Sequence, residues 1–188
     1  MVIGIDEVGR GCWAGPLVAA AVVLPDNHQL VGLNDSKLLS KKKRDRLDIL
    51  IRDIALSYGV GWVSSNEVDK LGLTEAIRLA MQRAIDQIDY HDQEIIIDGN
   101  INYLNNLTNT KAVVKADLTI PSVSAASIIA KVARDKYMQS SSLKYPEYYF
   151  EKHVGYGTAL HRTALEHHGI SKIHRRSFSP MKSGIYNG

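Results

Sequence analysis

The sequence predicts an α/β fold with a mixed β-sheet packed by helices, and two patterns indicate it. Runs rich in Val, Ile and Ala and bounded by Gly or Pro, at residues 2–5 and 18–24, are typical of strands buried on both faces. Apolar residues spaced three and four apart predict helices. Strands come early, with helices between and after them, and this order favours a sheet covered by helices.

The same patterns place the individual elements. Further strands are predicted at residues 60–64, 94–97 and 112–114. Helices are predicted at residues 41–56 after an N-cap at Ser40, at 74–88, at 122–138 and at 159–167. Because no repeat, low-complexity tract or linker interrupts the chain, we expect one domain over residues 1–188. It would have a core over about residues 1–140 and a small helical C-terminal region over about residues 141–188, which would bind substrate.

Composition indicates an ordinary globular protein, with 45% hydrophobic and 23% charged residues. Cys12 is the single cysteine, so no internal disulfide forms and a reducing compartment is expected. The longest apolar run, residues 17–24, is far shorter than the roughly 20 residues that span a bilayer. Asp6 and Glu7 lie where a signal peptide would have its basic start. We therefore expect a cytoplasmic enzyme or binding protein that does not contact membranes.

The net charge of +3 is only mildly basic and is weak support for a nucleic-acid partner. Basic residues do cluster, at residues 37–46 and at residues 172–182. On charge alone, a solvated helix face and a soluble tail are the favoured explanation of these clusters.

Acidic residues follow several of the predicted strands. Asp6 and Glu7 close the first strand, Asp98 closes the strand at 94–97, and Asp117 comes just after the strand at 112–114. Each acid alone is explained by a helix cap or a turn, above all Asp98 before Gly99. Four such positions instead indicate carboxylates converging at one edge of the sheet.

A cluster of carboxylates needs cations or protons, because two of them near 4 Å repel by roughly 4 kcal/mol at an effective dielectric of 20. Oxygen ligands without Cys or His prefer Mg²⁺ or Mn²⁺ over Zn²⁺. Such a site suits two-metal phosphodiester hydrolysis. One geometric question stays open, because neighbours on a regular strand point to opposite faces. Either the strand distorts near Gly9, or Glu7 contributes from the edge with help from its backbone carbonyl.

Seven segments of the chain, in the same order, resemble the bacterial ribonuclease HII family of type 2 ribonucleases H. They are IDEVGRG (5–11), LNDSKLLS (33–40), IDGN (97–100), KAD (115–117), SAASIIAKVARD (124–135), GYGT (155–158) and HRRSF (174–178). A single DG or GYG would mean little, whereas seven ordered segments over nearly the whole chain are very specific.

The resemblance implies a ribonuclease H-like fold, a hydrolase activity and the role of the acids. The activity would be cleavage of the RNA strand in RNA–DNA hybrids and incision 5′ to single ribonucleotides in duplex DNA, leaving 3′-hydroxyl and 5′-phosphate ends. Asp6, Glu7, Asp98 and Asp117 would hold two divalent ions, Mg²⁺ or Mn²⁺, during catalysis. Such enzymes serve ribonucleotide excision repair and removal of RNA primers, and we expect this one to be a monomer.

The resemblance also implies which residues contact nucleic acid. Gly9, Arg10 and Gly11 would grip the ribonucleotide, since glycine lets a backbone approach a ligand closely and the 2′-hydroxyl distinguishes RNA from DNA. Tyr156 would stack on the following deoxyribose, although a packing tyrosine is the usual explanation of such a turn. The remaining predicted contacts are Asn34, Ser36, Lys37, Ser127 and Lys131.

Several positions are left with two explanations. Lys131 and Asp135 are spaced for a surface ion pair as well as for a nucleic-acid contact. Arg175 and Arg176 suit either phosphate binding or structural pairing. None of the seven histidines shows metal-ligand spacing, and His153 and His161 receive no chemical role.

Two other functions remain open from the sequence. One is a non-catalytic module that binds hybrids, which should lack a carboxylate. The other is a nuclease or DNA strand-transferase of the same superfamily, which should lack the GRG and GYGT segments.

Overall fold

The computed structural model describes residues 1–33, 36, 39–89, 93–184 and 186. Its strands are β1 (Val2–Val8), β2 (Leu17–Val23), β3 (Ser57–Val63), β4 (Glu94–Asp98) and β5 (Thr110–Val113). They form a sheet in the order β3-β2-β1-β4-β5. β2 runs antiparallel to β1 and β3, whereas β4 runs parallel to β1 and β5, so the sheet is mixed as predicted.

The helices lie between the strands and after the last one. They are α1 (Lys41–Ile54), α2 (Ser65–Leu71), α3 (Leu73–Ile85), α4 (Ala116–Thr119), α5 (Pro121–Ser142), α6 (Phe150–His153) and α7 (Ala159–His168). Short 3₁₀ helices occur at Pro146–Tyr148 and Met181–Ser183. Within the described ranges, no helix combines the length and the apolar character needed to cross a membrane.

Several boundaries differ from the prediction, and α2 was missed. The Ser64 side chain accepts a hydrogen bond from the backbone N–H of Glu67, whose carboxylate accepts one from the backbone N–H of Ser64. This capping box, Ser-x-x-Glu, was a readable signal for a helix start. β3 begins three residues early, at Ser57, because it pairs with β2 as far as Val23. α5 extends four residues further than predicted, to Ser142.

The two faces of the sheet are covered by different helices. Ile3 and Ile5 of β1 pack in one apolar core with residues of α3, including Ala80. Val18 and Ala20 of β2 pack on the other face in a core that includes residues of α1 and α5. The sheet is therefore the middle layer of three, with α5 on the face that receives Asp6.

A separate apolar cluster lies under the C-terminal part of the chain. Its buried members include Met138 of α5, Phe150 of α6, Leu165 of α7 and Met181, together with Ala14 of the segment between β1 and β2. The cluster thus attaches residues beyond 140 to the segment that follows β1. Whether residues 141–188 bind substrate, as expected, stays a prediction.

Gly4 lets α5 lie against β1. A Cβ at Gly4 would be 2.2 Å from the backbone carbon of Ser122 and 2.2 Å from the backbone nitrogen of Val123. Such distances are far below van der Waals contact, and the atoms involved are backbone atoms that have no rotamer to change. Glycine at position 4 therefore fixes how closely the first turn of α5 approaches the strand that carries Asp6.

We expect Gly4→Ala to destabilise the protein by about 3 kcal/mol, because α5 must move away from β1. The midpoint of thermal unfolding should then fall by roughly 6–12 °C for a chain of this size. Gly11→Ala is the matched control, since a Cβ there meets no atom within 4 Å and its φ is not positive. Equal unfolding midpoints for the two variants would contradict the close packing of α5 on β1.

Candidate active site

The register of two parallel strands brings Asp6 and Asp98 side by side. Ile5 of β1 lies opposite Ile97 of β4, and each acid is the next residue along its strand. Because side chains alternate between the faces of a sheet, both carboxylates lie on the face away from the Ile5 and Ile97 side chains. That face is the one covered by α5, since the strand partner of Asp6, Ala20, packs there.

A tight turn adds Asp117 to this pair. Lys115 takes a left-handed conformation, with φ of 59°, just before α4 begins at Ala116. The backbone N–H of Ala116 donates to Oδ1 of Asp98 over 2.8 Å, so Asp98 itself holds the turn that carries Asp117. One carboxylate oxygen from each of Asp6, Asp98 and Asp117 lies within 4.8 Å of the others. These hard oxygen donors fit a divalent cation such as Mg²⁺ or Mn²⁺.

Electrostatics at this cluster are unfavourable without a cation. Asp6 is only 8% exposed. Burial raises the pKa of Asp6 well above its ordinary value, and the negative charges of Glu7 and Asp98 raise it further. The backbone N–H of Glu7, which donates to Asp6 Oδ1 over 2.7 Å, acts in the opposite direction. A bound cation would offset the like-charge repulsion that three close carboxylates create.

Glu7 lies on the opposite face of β1. The strand stays regularly paired through Val8, with Asp6 opposite Ala20 and Glu7 opposite Ala19. The side chains of the two acids therefore alternate between the faces of the sheet, as in an undistorted strand. Oε1 of Glu7 is 3.2 Å from Nη1 of Arg10. The group of three converging carboxylates does not include Glu7, although this residue lines the adjoining cavity. Metal binding by Glu7 stays a prediction. Of the two arrangements considered above, the one that remains is Glu7 contributing from the edge with help from its backbone carbonyl.

A cavity of about 350 Å³ adjoins Asp6 and Glu7. Among the predicted contacts, Ser36, Ser127, Lys131 and Tyr156 line it together with Asp6 and Glu7. Ser36 Oγ and Ser127 Oγ are 2.9 Å apart, and this hydrogen bond joins the segment before α1 to α5. The predicted contacts Asn34 and Lys37 lie outside the described residues.

Two basic side chains of the cavity are anchored by Asp135. Lys131 Nζ is 2.8 Å from Asp135 Oδ1, so the ion pair foreseen as an alternative exists, in a largely buried setting. Arg44, which the sequence showed only as one member of a basic run, lies 3.8 Å from Asp135 Oδ2 and donates to the carbonyl of Ser36 over 3.0 Å. The sequence could not distinguish Arg44 from the other cations of that run, and in the structure the cations beside it face solvent.

The glycine loop, residues 9–16, connects β1 to β2 and is held by two buried arginines. Arg134 of α5 donates to the carbonyl oxygens of Ala14 and Pro16. Arg175 donates to the carbonyl oxygens of Arg10 and Gly15. Both arginines have 0% exposure. For Arg175 the structural alternative therefore applies rather than contact with phosphate.

Close packing at Gly9 depends on the first of these arginines. Gly9 has φ of 94°, and a Cβ there would be 2.5 Å from Nε of Arg134.

The second arginine keeps its charge. Burial lowers the pKa of Arg175 to about 10, which leaves it charged near neutral pH. Arg134 lies within the helix predicted at residues 122–138, and no feature of the sequence marks it as buried. The two arginines thus hold the loop in a defined conformation where the family resemblance implies contact with a ribonucleotide.

The tyrosine loop, residues 154–158, forms a wall with the glycine loop. The backbone N–H of Trp13 donates to the carbonyl of Gly155 over 2.8 Å. The Trp13 ring lies so close to Gly157 that a Cβ there would be 2.3 Å from it. Tyr156 is 39% exposed. Burial of its hydroxyl and the neighbouring Cys12 raise the pKa of Tyr156 to about 12, so it stays protonated.

The mixed sheet, with Asp6 near the end of β1 and Asp98 at the end of the parallel strand β4, has the architecture of the ribonuclease H-like fold. The family model described as Ribonuclease HII matches residues 3–181. The chain belongs to the ribonuclease HII family, so it is a ribonuclease H hydrolase that acts on RNA-containing nucleic acid.

Individual relatives agree over nearly the full length of the chain. A ribonuclease HII from Dechloromonas aromatica is 48% identical over 181 residues, which cover 96% of this chain and 92% of the relative. The crystal structure of ribonuclease H2 from Pyrococcus horikoshii OT3 has a TM-score of 0.86 at 28% identity, covering 99% of this chain and 97% of that one. A structure of the PCNA:RNase HII complex from Archaeoglobus fulgidus has a TM-score of 0.79 at 30% identity, covering 94% and 93%.

Proposed function

We propose that this enzyme cleaves RNA in RNA–DNA hybrids and incises duplex DNA on the 5′ side of a single embedded ribonucleotide, leaving 3′-hydroxyl and 5′-phosphate ends. The observation that carries the proposal is the convergence of the Asp6, Asp98 and Asp117 carboxylate oxygens within 4.8 Å. Asp6 also lines a cavity whose wall includes Tyr156. Acids that hold metal and a neighbouring surface that recognises a sugar are the two parts that this reaction needs.

The carboxylates of Asp6, Asp98 and Asp117 would hold the metal, with Glu7 added from the edge of β1. Two Mg²⁺ or Mn²⁺ ions there would supply activation of the attacking water and stabilisation of the leaving 3′-oxygen. The chain itself fixes the positions of these ligands. Asp98 is fixed by the N–H of Ala116, and Asp6 is fixed by the N–H of Glu7.

Recognition of the ribonucleotide would come from two loops that hydrogen bonds from buried side chains hold in place. The backbone at Gly9, Arg10 and Gly11 is able to approach the 2′-hydroxyl, the group that distinguishes RNA from DNA. Its geometry is set in advance by Arg134 and Arg175, and such preorganisation reduces the entropy lost on binding. The half-exposed ring of Tyr156 would pack on the next deoxyribose.

Phosphate contacts would position the duplex without reading its sequence. Ser127 and Lys131 lie one turn apart on α5 and line the cavity beside Ser36. By the family resemblance, Asn34 and Lys37 would also contact phosphate. We place this activity in the cytoplasm, in ribonucleotide excision repair and in removal of RNA primers during DNA replication, and we expect a monomer.

The two alternatives from the sequence have less support. A non-catalytic hybrid-binding module should have lost a carboxylate, and all four predicted acids are present. A strand-transferase has no need of loops that recognise a ribonucleotide, whereas here the glycine loop and the tyrosine loop are bonded to each other beside the acids.

The experiment that tests the proposal compares three labelled duplexes: all DNA, DNA with one ribonucleotide, and a long RNA–DNA hybrid. Each is incubated with Mg²⁺, Mn²⁺ or EDTA, and the ends of the products are mapped. We expect cuts only in the two duplexes that contain RNA, only with a divalent ion, and 5′ to the single ribonucleotide. Cutting of the all-DNA duplex, or cutting in EDTA, would contradict the proposal.

A further inference from the structure

Three buried histidines lie directly behind Tyr156, and the function proposed above gives none of them a role. His153 belongs to α6, His161 to α7, and His174 lies in the segment after α7; they are 7%, 0% and 2% exposed. The ring centroids of His153 and His161 are 4.4 Å apart, and Nε2 of His161 is 2.9 Å from Nε2 of His174. A hydrogen bond between two ring nitrogens requires one to donate and the other to accept.

Neighbouring groups determine which nitrogen carries the proton in each ring. The backbone N–H of Ser171 donates to Nδ1 of His174 over 2.9 Å, so the proton of His174 is on Nε2 and is donated to Nε2 of His161. His161 then carries its proton on Nδ1 and donates it to the carbonyl oxygen of Tyr156 over 2.9 Å. The reverse assignment would place two acceptors, Nδ1 of His161 and that carbonyl, against each other.

We call the hydrogen-bonded series Ser171, His174 and His161 the histidine chain. The imidazole rings of His161 and His174 are both neutral. Burial lowers the pKa of His161 to about 4 and that of His174 to about 3. Neutral rings with one proton each match the single direction of donation, from Ser171 to the carbonyl of Tyr156. The chain is therefore a fixed set of hydrogen bonds at neutral pH.

The residue before Tyr156 is held by the third histidine. Nδ1 of His153 accepts from the backbone N–H of Gly155 over 3.2 Å, and its Nε2 donates to the carbonyl of Tyr148 over 2.8 Å. Gly155 has φ of 88°, and Val154 before it has φ of 45°. The backbone that carries the Tyr156 ring thus takes an uncommon left-handed path, and buried imidazoles hold it on both sides.

The segment that carries His174 also forms backbone hydrogen bonds with the glycine loop. His174 forms an isolated antiparallel bridge with Ala14. The backbone N–H of the next residue, Arg175, donates to the carbonyl of Trp13 over 2.8 Å. A single segment, residues 171–175, therefore fixes both loops of the wall beside the acids.

We propose that His161 and His174 are positioning residues for selection of a single ribonucleotide, because they fix the Tyr156 backbone so that the ring faces the cavity. This inference rests on the proposed function, in which the ring contacts the sugar next to the ribonucleotide. Without the bond from His161, the Tyr156 carbonyl keeps only the hydrogen bond from the backbone N–H of Thr158, and the ring is held less firmly in one orientation. Cleavage of a long hybrid suffers less, since phosphate contacts hold it at many positions.

The test measures the ratio of single-ribonucleotide incision to long-hybrid cleavage. His161→Leu removes the donor to Tyr156, whereas His161→Asn keeps an amide nitrogen near the position of Nδ1. We expect His161→Leu to lower the ratio roughly tenfold, the order of one lost aromatic stacking contact, and His161→Asn to keep most of it. Equal losses in the two variants would overturn the inference.

Two controls separate positioning from stability and from the role of Tyr156. Ile85→Ala truncates the core on the α3 face, away from both loops, and should leave the ratio unchanged at the same fraction of folded protein. In a Tyr156→Ala background, His161→Leu should change the ratio no further, because it acts through the ring. If Tyr156→Ala lowers the ratio and His161→Leu does not, this inference fails alone. If Tyr156→Ala leaves the ratio unchanged, the proposed role of Tyr156 fails.

The proton positions are also testable on the wild-type protein, without any variant that must fold. Long-range ¹H–¹⁵N correlation spectra of the imidazoles should show the proton on Nδ1 in His161 and on Nε2 in His174 at neutral pH. A proton on Nε2 of His161 would break the bond to Tyr156 and overturn the inference.

Discussion

Asp98→Asn should abolish cleavage of both RNA-containing duplexes while the protein stays folded. The loss should be about 1000-fold or more, since metal-assisted stabilisation of the transition state is worth several kcal/mol. Asparagine keeps an oxygen that accepts from the N–H of Ala116, so the turn that carries Asp117 should survive. What the substitution removes is one negative ligand of the cluster.

Stability should move in the opposite direction to activity in this variant. The charge of Asp98 is one of the causes that raise the pKa of Asp6, so its removal relieves repulsion at a buried carboxylate. The unfolding midpoint of Asp98→Asn should therefore equal or exceed that of the wild type. Glu94→Gln, at the other end of β4 and in an exposed pair with Lys111, is the matched control and should retain activity. Wild-type turnover by Asp98→Asn would exclude Asp98 from the metal site.

Tyr156→Ala should reduce incision at a single ribonucleotide about tenfold to a hundredfold more than cleavage of a long hybrid. Stacking of one aromatic ring in nucleic-acid complexes is worth about 1–3 kcal/mol, which corresponds to this range. One ribonucleotide in DNA offers a single productive position, and the ring contact contributes to that position alone.

Tyr156→Phe is the control for the ring itself. It keeps the aromatic face and removes only the hydroxyl, whose interaction with the buried Cys12 is structural. The ratio between the two substrates should stay near that of the wild type. Equal losses on both substrates in Tyr156→Ala would mean that the ring only packs against its neighbours.

The carboxylates were predictable because their signals are local. An acid at the end of an apolar run is visible in the sequence, and the end of a parallel strand is a shared edge. Which acids meet depends on strand register, however. The pairing of Ile5 with Ile97 joins residues that are far apart in the sequence, so local patterns do not reveal it. The same limit explains Glu7, whose side of the strand follows from regular pairing that the sequence left undecided.

Buried polar groups were the part that sequence could not supply. Because arginine is rarely fully buried, the sequence did not mark Arg134 or Arg175 as core residues, and only the folded chain shows their carbonyl partners. The histidines lacked metal-ligand spacing, and their hydrogen bonds join residues from three separate segments. Gly4 looked like any glycine within a strand until α5 was seen to pack on it.

The most direct test of the account is to locate Mn²⁺ by anomalous scattering in crystals of the enzyme bound to a duplex with one ribonucleotide. We predict metal density bounded by the carboxylates of Asp6, Asp98 and Asp117, with the ribonucleotide lying between the glycine loop and Tyr156. Metal held by other residues, while the duplex occupies this cavity, would contradict it.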